Sequence, residues 1–194
     1  MNLGAASSSK PAYAPLEWAV ARQQILVADD AGVVAVKSLL LRPAPAGTEV
    51  VTLLCLGDPP AVSGLPLPER AGFPDEPGLA AGLRALLATS PMATRLYLAG
   101  SESFLAVMRR TAEETGLAHD AIQAEQRGSA ARDAQCVHCK KIHRAVRHRA
   151  FDCTRCGVPL FVRDHYSRRL GAYQAVVIYP GDPNLALWRA EGFA

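Results

Sequence analysis

Four cysteines, Cys136, Cys139, Cys153 and Cys156, form two C-x2-C pairs separated by thirteen residues. Each C-x2-C turn can aim two thiolates at one cation, and the segment between the pairs is long enough for a β-hairpin that brings the turns together in a tetrahedral four-sulfur site. The pattern reads as a zinc ribbon. Gly157, directly after the second pair, fits a thiolate knuckle whose next residue needs positive φ. A single iron suits the same all-sulfur cage, and the short, hairpin-sized gap favours zinc. Four thiolates leave no open position for water or substrate, so such a metal is structural. His138, His143, His148 and His165 lie near enough in sequence to replace a cysteine, but four thiolates already complete the shell.

Other reactive side chains carry weaker signals. Cys55 sits inside the apolar run VVTLLCL and reads as inert core, because a reactive thiol needs exposure and a basic neighbour. Ser101 and Ser103 precede a helical stretch and read as N-caps, and Asp29 or Asp30 does the same for an earlier helix. No His or acid is placed by a motif to activate either serine, so no catalytic residue is assigned. Neither G-x-G-x-x-G nor G-x-x-x-x-G-K-[ST] is present.

These residues need a scaffold, and the alternation of apolar runs supplies one. QQILVAD, VVTLLCL, RLYLAG and AIQAE read as buried strands; AGVVAVKSLLLR, LAAGLRALLAT and ESFLAVMRRTAEETG read as helices, the last ended by Gly116. Alternating strands and helices predict a parallel sheet covered by crossover helices. Between them GDPPAVSGLPLPERAGFPDEP, with prolines at 59, 60, 66, 68, 74 and 77, reads as one long loop. The fold class is α/β: a small parallel-sheet domain followed by a C-terminal zinc-ribbon β module. The expected divisions are a flexible lead over 1–20 with Trp18 tacking it down, the α/β domain over 21–126, a linker over 127–134, the ribbon over 135–179 and a tail over 180–194. That tail, with Trp188 and Phe193, either lies on a partner or folds back.

The net charge of +3 is unevenly spread. Residues 1–135 carry 11 Lys or Arg against 14 Asp or Glu, whereas 136–170 carry 9 against 2. The ribbon is therefore a basic knob, suited to an acidic protein surface or to phosphates. Nucleic acid is the weaker partner, since the α/β domain is acidic and no recognition helix or RNA-binding signature is present. No run approaches the roughly 18 apolar residues of a membrane span, and the first residues lack a basic segment followed by an apolar stretch, so the expected setting is a reducing cytoplasm with no membrane contact.

Two resemblances sharpen this reading. The stretch RLYLAGSESFLAVMRRTAEETGLAHDAIQAEQ is similar to the end of the NAD(P)-binding domain of ferredoxin-reductase-type flavoproteins, where a strand leads through a Cys-Gly-Pro-type turn into a helix and then into a short strand ending in Glu. ILVADDAGVVAVKSLL resembles that family's first strand and helix, with Ala28-Asp29-Asp30 where a glycine-rich turn is usual. The resemblance implies a nucleotide turn at Gly100 and Ser101, in a domain with Ala99 in place of the turn cysteine and without a flavin-binding barrel before residue 21.

CVHCKKIHRAVRHRAFDCTRCGVPLFVRDHYSRRLGAYQAVV resembles the C-terminal domain of the DmmA family, and LFVRDHYSRRLGAYQ is its most distinctive part. Membership would imply a subunit of bacterial dimethylamine monooxygenase, which oxidatively demethylates dimethylamine to methylamine and formaldehyde with NAD(P)H and oxygen. Haem, FMN and [2Fe–2S] are then expected on partner subunits and not on this chain. The reading is a non-catalytic accessory subunit whose ribbon presents Arg163, Asp164, His165, Tyr166, Arg168 and Arg169 to companions in a hetero-oligomer. The alternatives are a stand-alone NAD(P)H-binding reductase component or, less favoured, a nucleic-acid-binding zinc ribbon.

Overall fold

The computed structural model describes residues 9–57, 69–179 and 181–193, and it divides at residues 130 and 131. Residues 13–130 form an α/β unit; residues 9–12 group with the chain from 131 onward in a second unit.

In the α/β unit the apolar runs become strands: β1 (Gln23–Ala28), β2 (Val50–Leu56), β4 (Thr94–Gly100) and β5 (Ile122–Gln126), with β3 (Glu69–Phe73) at one edge. All pair in parallel, in the order β3-β2-β1-β4-β5. Helices α1 (Val33–Leu40), α2 (Glu76–Ala88) and α3 (Glu102–Glu114) connect them. Successive strand residues face opposite sides: Leu26, Leu53 and Tyr97 pack with Val36 and Leu39 of α1, while Ile25, Val27, Leu96 and Leu98 pack with Leu79, Leu83, Phe104 and Met108 of α2 and α3. Burial on both faces is why these strands read as unbroken apolar runs.

Three local readings are corrected. The proline-rich stretch is not all loop: ERAGF forms β3, an edge strand, where proline-rich flanks are tolerated. Residues 58–68 of that stretch lie outside the described residues. Helix α2 starts earlier than LAAG, because Asp75 caps it by accepting from Gly78 N at 2.7 Å and Pro77 fits the first turn. Neither Asp29 nor Asp30 is the N-cap of α1, which is Gly32.

The lead is also more than a tether. Leu16 is only 1% exposed and joins the core on the α1 side. The Leu16 N–H donates to Glu125 Oε2 at 2.8 Å, Glu17 exchanges two hydrogen bonds with Gln123, and Ala19 N–H donates to the Tyr97 hydroxyl at 2.9 Å. Trp18 does tack the lead down, edge-on to Tyr97 and donating its indole N–H to the Arg42 carbonyl.

The second unit is a five-stranded mixed sheet: β6 (Arg132–Cys136), β7 (Ile142–Val146), β8 (Ala150–Asp152), β9 (Pro159–Ser167) and β10 (Ala172–Val177), in the order β7-β6-β10-β9-β8. β6 pairs antiparallel with β7, and β8 with β9; β10 runs parallel to β6 and antiparallel to β9. Residues 132–134, read as linker, are the start of β6, and Asp133 is buried there, accepting from Ala145 N–H and pairing with Arg144 at 2.7 Å. The tail folds back within this unit through α4 (Leu185–Ala190). Trp188 packs on Phe161, Arg189 pairs with Asp152, Glu191 pairs with Arg149, and Phe193 lies against the Arg132 guanidinium.

Candidate metal centre

Each C-x2-C pair is the turn of its own hairpin. Cys136 to Cys139 joins β6 to β7, and Cys153 to Cys156 joins β8 to β9. One hairpin does not bridge the pairs, as the spacing suggested; β7 and β8 are opposite edges of the sheet, and β10 holds the two hairpins side by side. The knuckles share one hydrogen-bond pattern. Lys140 N–H donates to Cys136 O and Gly157 N–H to Cys153 O, both at 2.9 Å; Cys136 N–H donates to Lys141 O and Cys153 N–H to Val158 O, again at 2.9 Å. Both knuckles close through a left-handed residue, Lys140 at φ 65° and Gly157 at φ 71°. The positive φ expected at Gly157 is present.

The four sulfurs lie within 4.8 Å of one another. Across the hairpins, Cys136 Sγ is 3.9 Å from Cys156 Sγ and Cys139 Sγ is 3.5 Å from Cys153 Sγ. Sulfurs about 2.3 Å from a tetrahedral zinc are about 3.8 Å apart, so this donor set fits such an ion. The cluster can hold a metal with all four positions filled by protein. Burial raises the Cys153 thiol, but backbone N–H groups of Cys156 and Arg155 and the side chains of Cys156 and His143 outweigh it and bring it down to about 5. Cys156 moves the other way, pushed to about 12 by burial and by its sulfur neighbours.

One further residue belongs to this centre. His143 is 8% exposed, its Nε2 lies 3.3 Å from Cys153 Sγ, and its ring meets the Phe151 ring edge-on at 4.9 Å. It sits beside the four cysteines without being needed as a fifth ligand. His143 lies near the cysteines in sequence, as His138, His148 and His165 do, and only the fold shows that it is the one whose ring meets Cys153.

Beyond the knuckles, β9 carries a bulge. Tyr166 pairs with Tyr173 and Val162 with Ala175, which leaves Arg163, Asp164 and His165 opposite Gln174 alone. Extra residues in one strand break its alternation, and all three of these are exposed. Asp164 accepts from Lys10 Nζ at 2.8 Å and from an Arg132 nitrogen at 2.7 Å. Partial burial would raise its carboxyl, but those two cations outweigh it and hold it below the usual range. The Arg132 guanidinium is itself stacked between Tyr173 and Phe193, at 4.4 and 4.2 Å from the ring centres. Tyr166 does not belong to this exposed set: it is 7% exposed and packs edge-on against Tyr173 in the ribbon core. Arg163, Arg168 and Arg169 are exposed and pair with no carboxylate among the described residues.

Comparison with known families matches both units. Residues 6–122 match the N-terminal domain, and residues 133–176 the C-terminal domain, of the dimethylamine monooxygenase subunit DmmA-like family. This chain belongs to that family. Among curated proteins, the DmmA-like chain is 36% identical over 115 residues to the heme-dependent oxidative N-demethylase delta subunit of Ectopseudomonas mendocina. That match spans 59% of this chain and 64% of the relative, just under two thirds of its length. A solved structure, the siderophore-interacting protein SipS from Aeromonas hydrophila, is 20% identical with a TM-score of 0.40, covering 55% of this chain and 50% of that one.

In the DmmA-like chain the turn at Gly100 and Ser101 lies at the carboxyl end of β4 and opens α3. Asp29, at the carboxyl end of β1 and 9% exposed, reaches across to it. Asp29 Oδ2 accepts from both the Ser101 N–H and hydroxyl at 2.9 Å, and Oδ1 accepts from Gly32 N–H at 2.9 Å. Ser101 is the N-cap residue by position, yet its hydroxyl serves Asp29 and not the helix. Glycine is needed at 100, since a Cβ there would stand 2.5 Å from Asp29 Oδ1. The next N–H of α3, from Glu102, donates to Ser129 O. Among the described residues, no helix is long and apolar enough to cross a membrane.

Proposed function

We propose that this DmmA-like chain is a non-catalytic accessory subunit of a multicomponent oxidative N-demethylase, with dimethylamine as substrate and haem, FMN and [2Fe–2S] carried by companion subunits. Its α/β unit serves as a docking body, and its ribbon, closed around zinc by Cys136, Cys139, Cys153 and Cys156, serves as the contact surface. Family membership and the oxidative N-demethylase relative support the assignment to such a complex. The observation that carries the non-catalytic reading is the all-sulfur donor set. Zinc held there would supply a cross-link between two hairpins and no vacant position for a nucleophile.

The contact surface we assign to the β9 bulge and the turn after it. Arg163 and His165 project from the bulge, Arg168 and Arg169 follow, and Asp164 anchors the bulge through Lys10 and Arg132. Such a surface suits carboxylates on a companion subunit, because guanidinium groups pair with them in a bidentate fork. In a bacterial cytoplasm the thiolates would stay reduced and available to the metal.

Co-expression with the haem- and flavin-bearing subunits tests this reading. Wild-type chain should co-purify with them, and formaldehyde release from dimethylamine should require it. Cys139→Ser and Cys156→Ser should lose assembly while the α/β unit stays folded, and Arg163→Glu with Arg168→Glu should weaken association in a salt-dependent way. An active complex assembled without this chain, or normal assembly of the serine variants, would contradict it.

A second reading, nicotinamide nucleotide binding at Gly100 and Ser101, has the position of that turn in its favour, since ligands of parallel sheets gather beyond the strands' carboxyl ends. The Asp29 carboxylate argues against it, because it takes the donors that a phosphate would use and repels one electrostatically. Titration with NADH and NADPH distinguishes the two: saturable binding would favour the reductase reading.

A further inference from the structure

We infer that His143 donates a hydrogen bond from Nε2 to the Cys153 sulfur and thereby slows release of the metal, a role that rests on the four-cysteine metal reading above. The histidine is placed by one hairpin and acts on the other. It stands on β7 opposite Ala134 of β6, the hairpin that carries Cys136 and Cys139, yet its ring nitrogen reaches a sulfur on the knuckle between β8 and β9. It is nearly buried, and the edge-on Phe151 ring from β8 limits its rotation. The contact therefore has fixed geometry.

The direction of the bond follows from the chemistry of the sulfur. A metal-bound thiolate has no proton, so it can only accept, and the imidazole N–H must donate. A thiolate that accepts a hydrogen bond holds less charge to offer an incoming proton, so the protonation that frees it from the metal is slower. Groups that contact metal ligands from outside commonly change metal affinity by about 10- to 100-fold. A histidine that merely filled space beside Phe151 would act through its ring, not through its N–H, and the two roles separate by substitution.

The test uses the full chain and two variants. His143→Phe keeps an aromatic ring against Phe151 and removes the donor; His143→Gln removes the ring and keeps an N–H. Metal per chain is measured first by elemental analysis, then release to a chromophoric chelator, then the cadmium-113 resonance of the cadmium-loaded protein. The Phe variant should release metal about tenfold faster or more and shift the cadmium resonance, while the Gln variant stays near wild type in both. Wild-type rates and an unshifted resonance in the Phe variant would overturn the inference, and so would equal acceleration in both variants. Should the Phe variant fail to fold, the Gln variant decides: near-wild-type release supports the donor role and fast release overturns it. Wild-type protein that binds no metal defeats the metal reading itself, an outcome separate from unchanged release by a metal-loaded variant.

Discussion

At the scale of single residues, the two knuckles form a natural comparison. Lys140 and Gly157 occupy equivalent places with nearly the same left-handed φ, but only the lysine carries a Cβ penalty for it. A Cβ at Gly157 would meet nothing within 4 Å, so Gly157→Ala tests backbone strain alone and should destabilise the ribbon by about 1 kcal/mol. Lys140→Gly should stabilise it by about 0.5 kcal/mol, because relief of strain exceeds the added freedom of the unfolded chain. Denaturant midpoints of the metal-loaded proteins measure both. Cys55 makes a different contrast. Burial, with a smaller push from the Asp30 carboxylate, raises its thiol to about 11, so near neutral pH it is almost wholly protonated and unreactive. Alkylation after chelation should therefore modify the four ribbon cysteines first and Cys55 only on unfolding; mass spectrometry of timed samples reads the order.

Among the elements, residues 13–20 of the lead pack onto the α/β unit without forming a strand or helix of their own. Leu16→Ala should cost about 2–5 kcal/mol, the range for emptying a core leucine site, and thermal unfolding of the α/β unit would show it. Apart from Trp18, residues 13–20 do not announce this, since the partners Gln123 and Glu125 lie more than 100 residues away in sequence. The central strands were legible because burial on both faces leaves an uninterrupted apolar run. β3 was not, because an edge strand such as ERAGF, mostly exposed, carries little hydrophobic signal among prolines. The same division holds at the metal centre. Cysteine spacing located the four sulfurs, and it could not tell one hairpin from two, because that depends on β10 entering between them. LFVRDHYSRRLGAYQ is the most distinctive part of the family resemblance, yet strand alternation alone could not foresee a bulge that exposes three consecutive residues and leaves Tyr166 in the core.

For the whole molecule, the two units rely on different sources of stability. The α/β unit has apolar cores on both faces of its sheet, whereas the ribbon gathers a smaller cluster that includes all four cysteines. Small modules with few apolar residues commonly depend on a metal for folding. A strong chelator should therefore unfold the ribbon and leave the α/β unit intact, seen in hydrogen exchange as loss of protection confined to the second unit, from residue 131 onward; simultaneous loss across both units would contradict it.

The place of β10 bears on how the protein is made. Synthesis delivers both sulfur-bearing hairpins before β10, the strand that lies between them in the sheet. The α/β unit, closed by residue 130, can meanwhile fold as its segment leaves the ribosome. A message truncated before Ala172 would therefore yield a folded first unit joined to two thiol-rich hairpins without the strand that pairs with both.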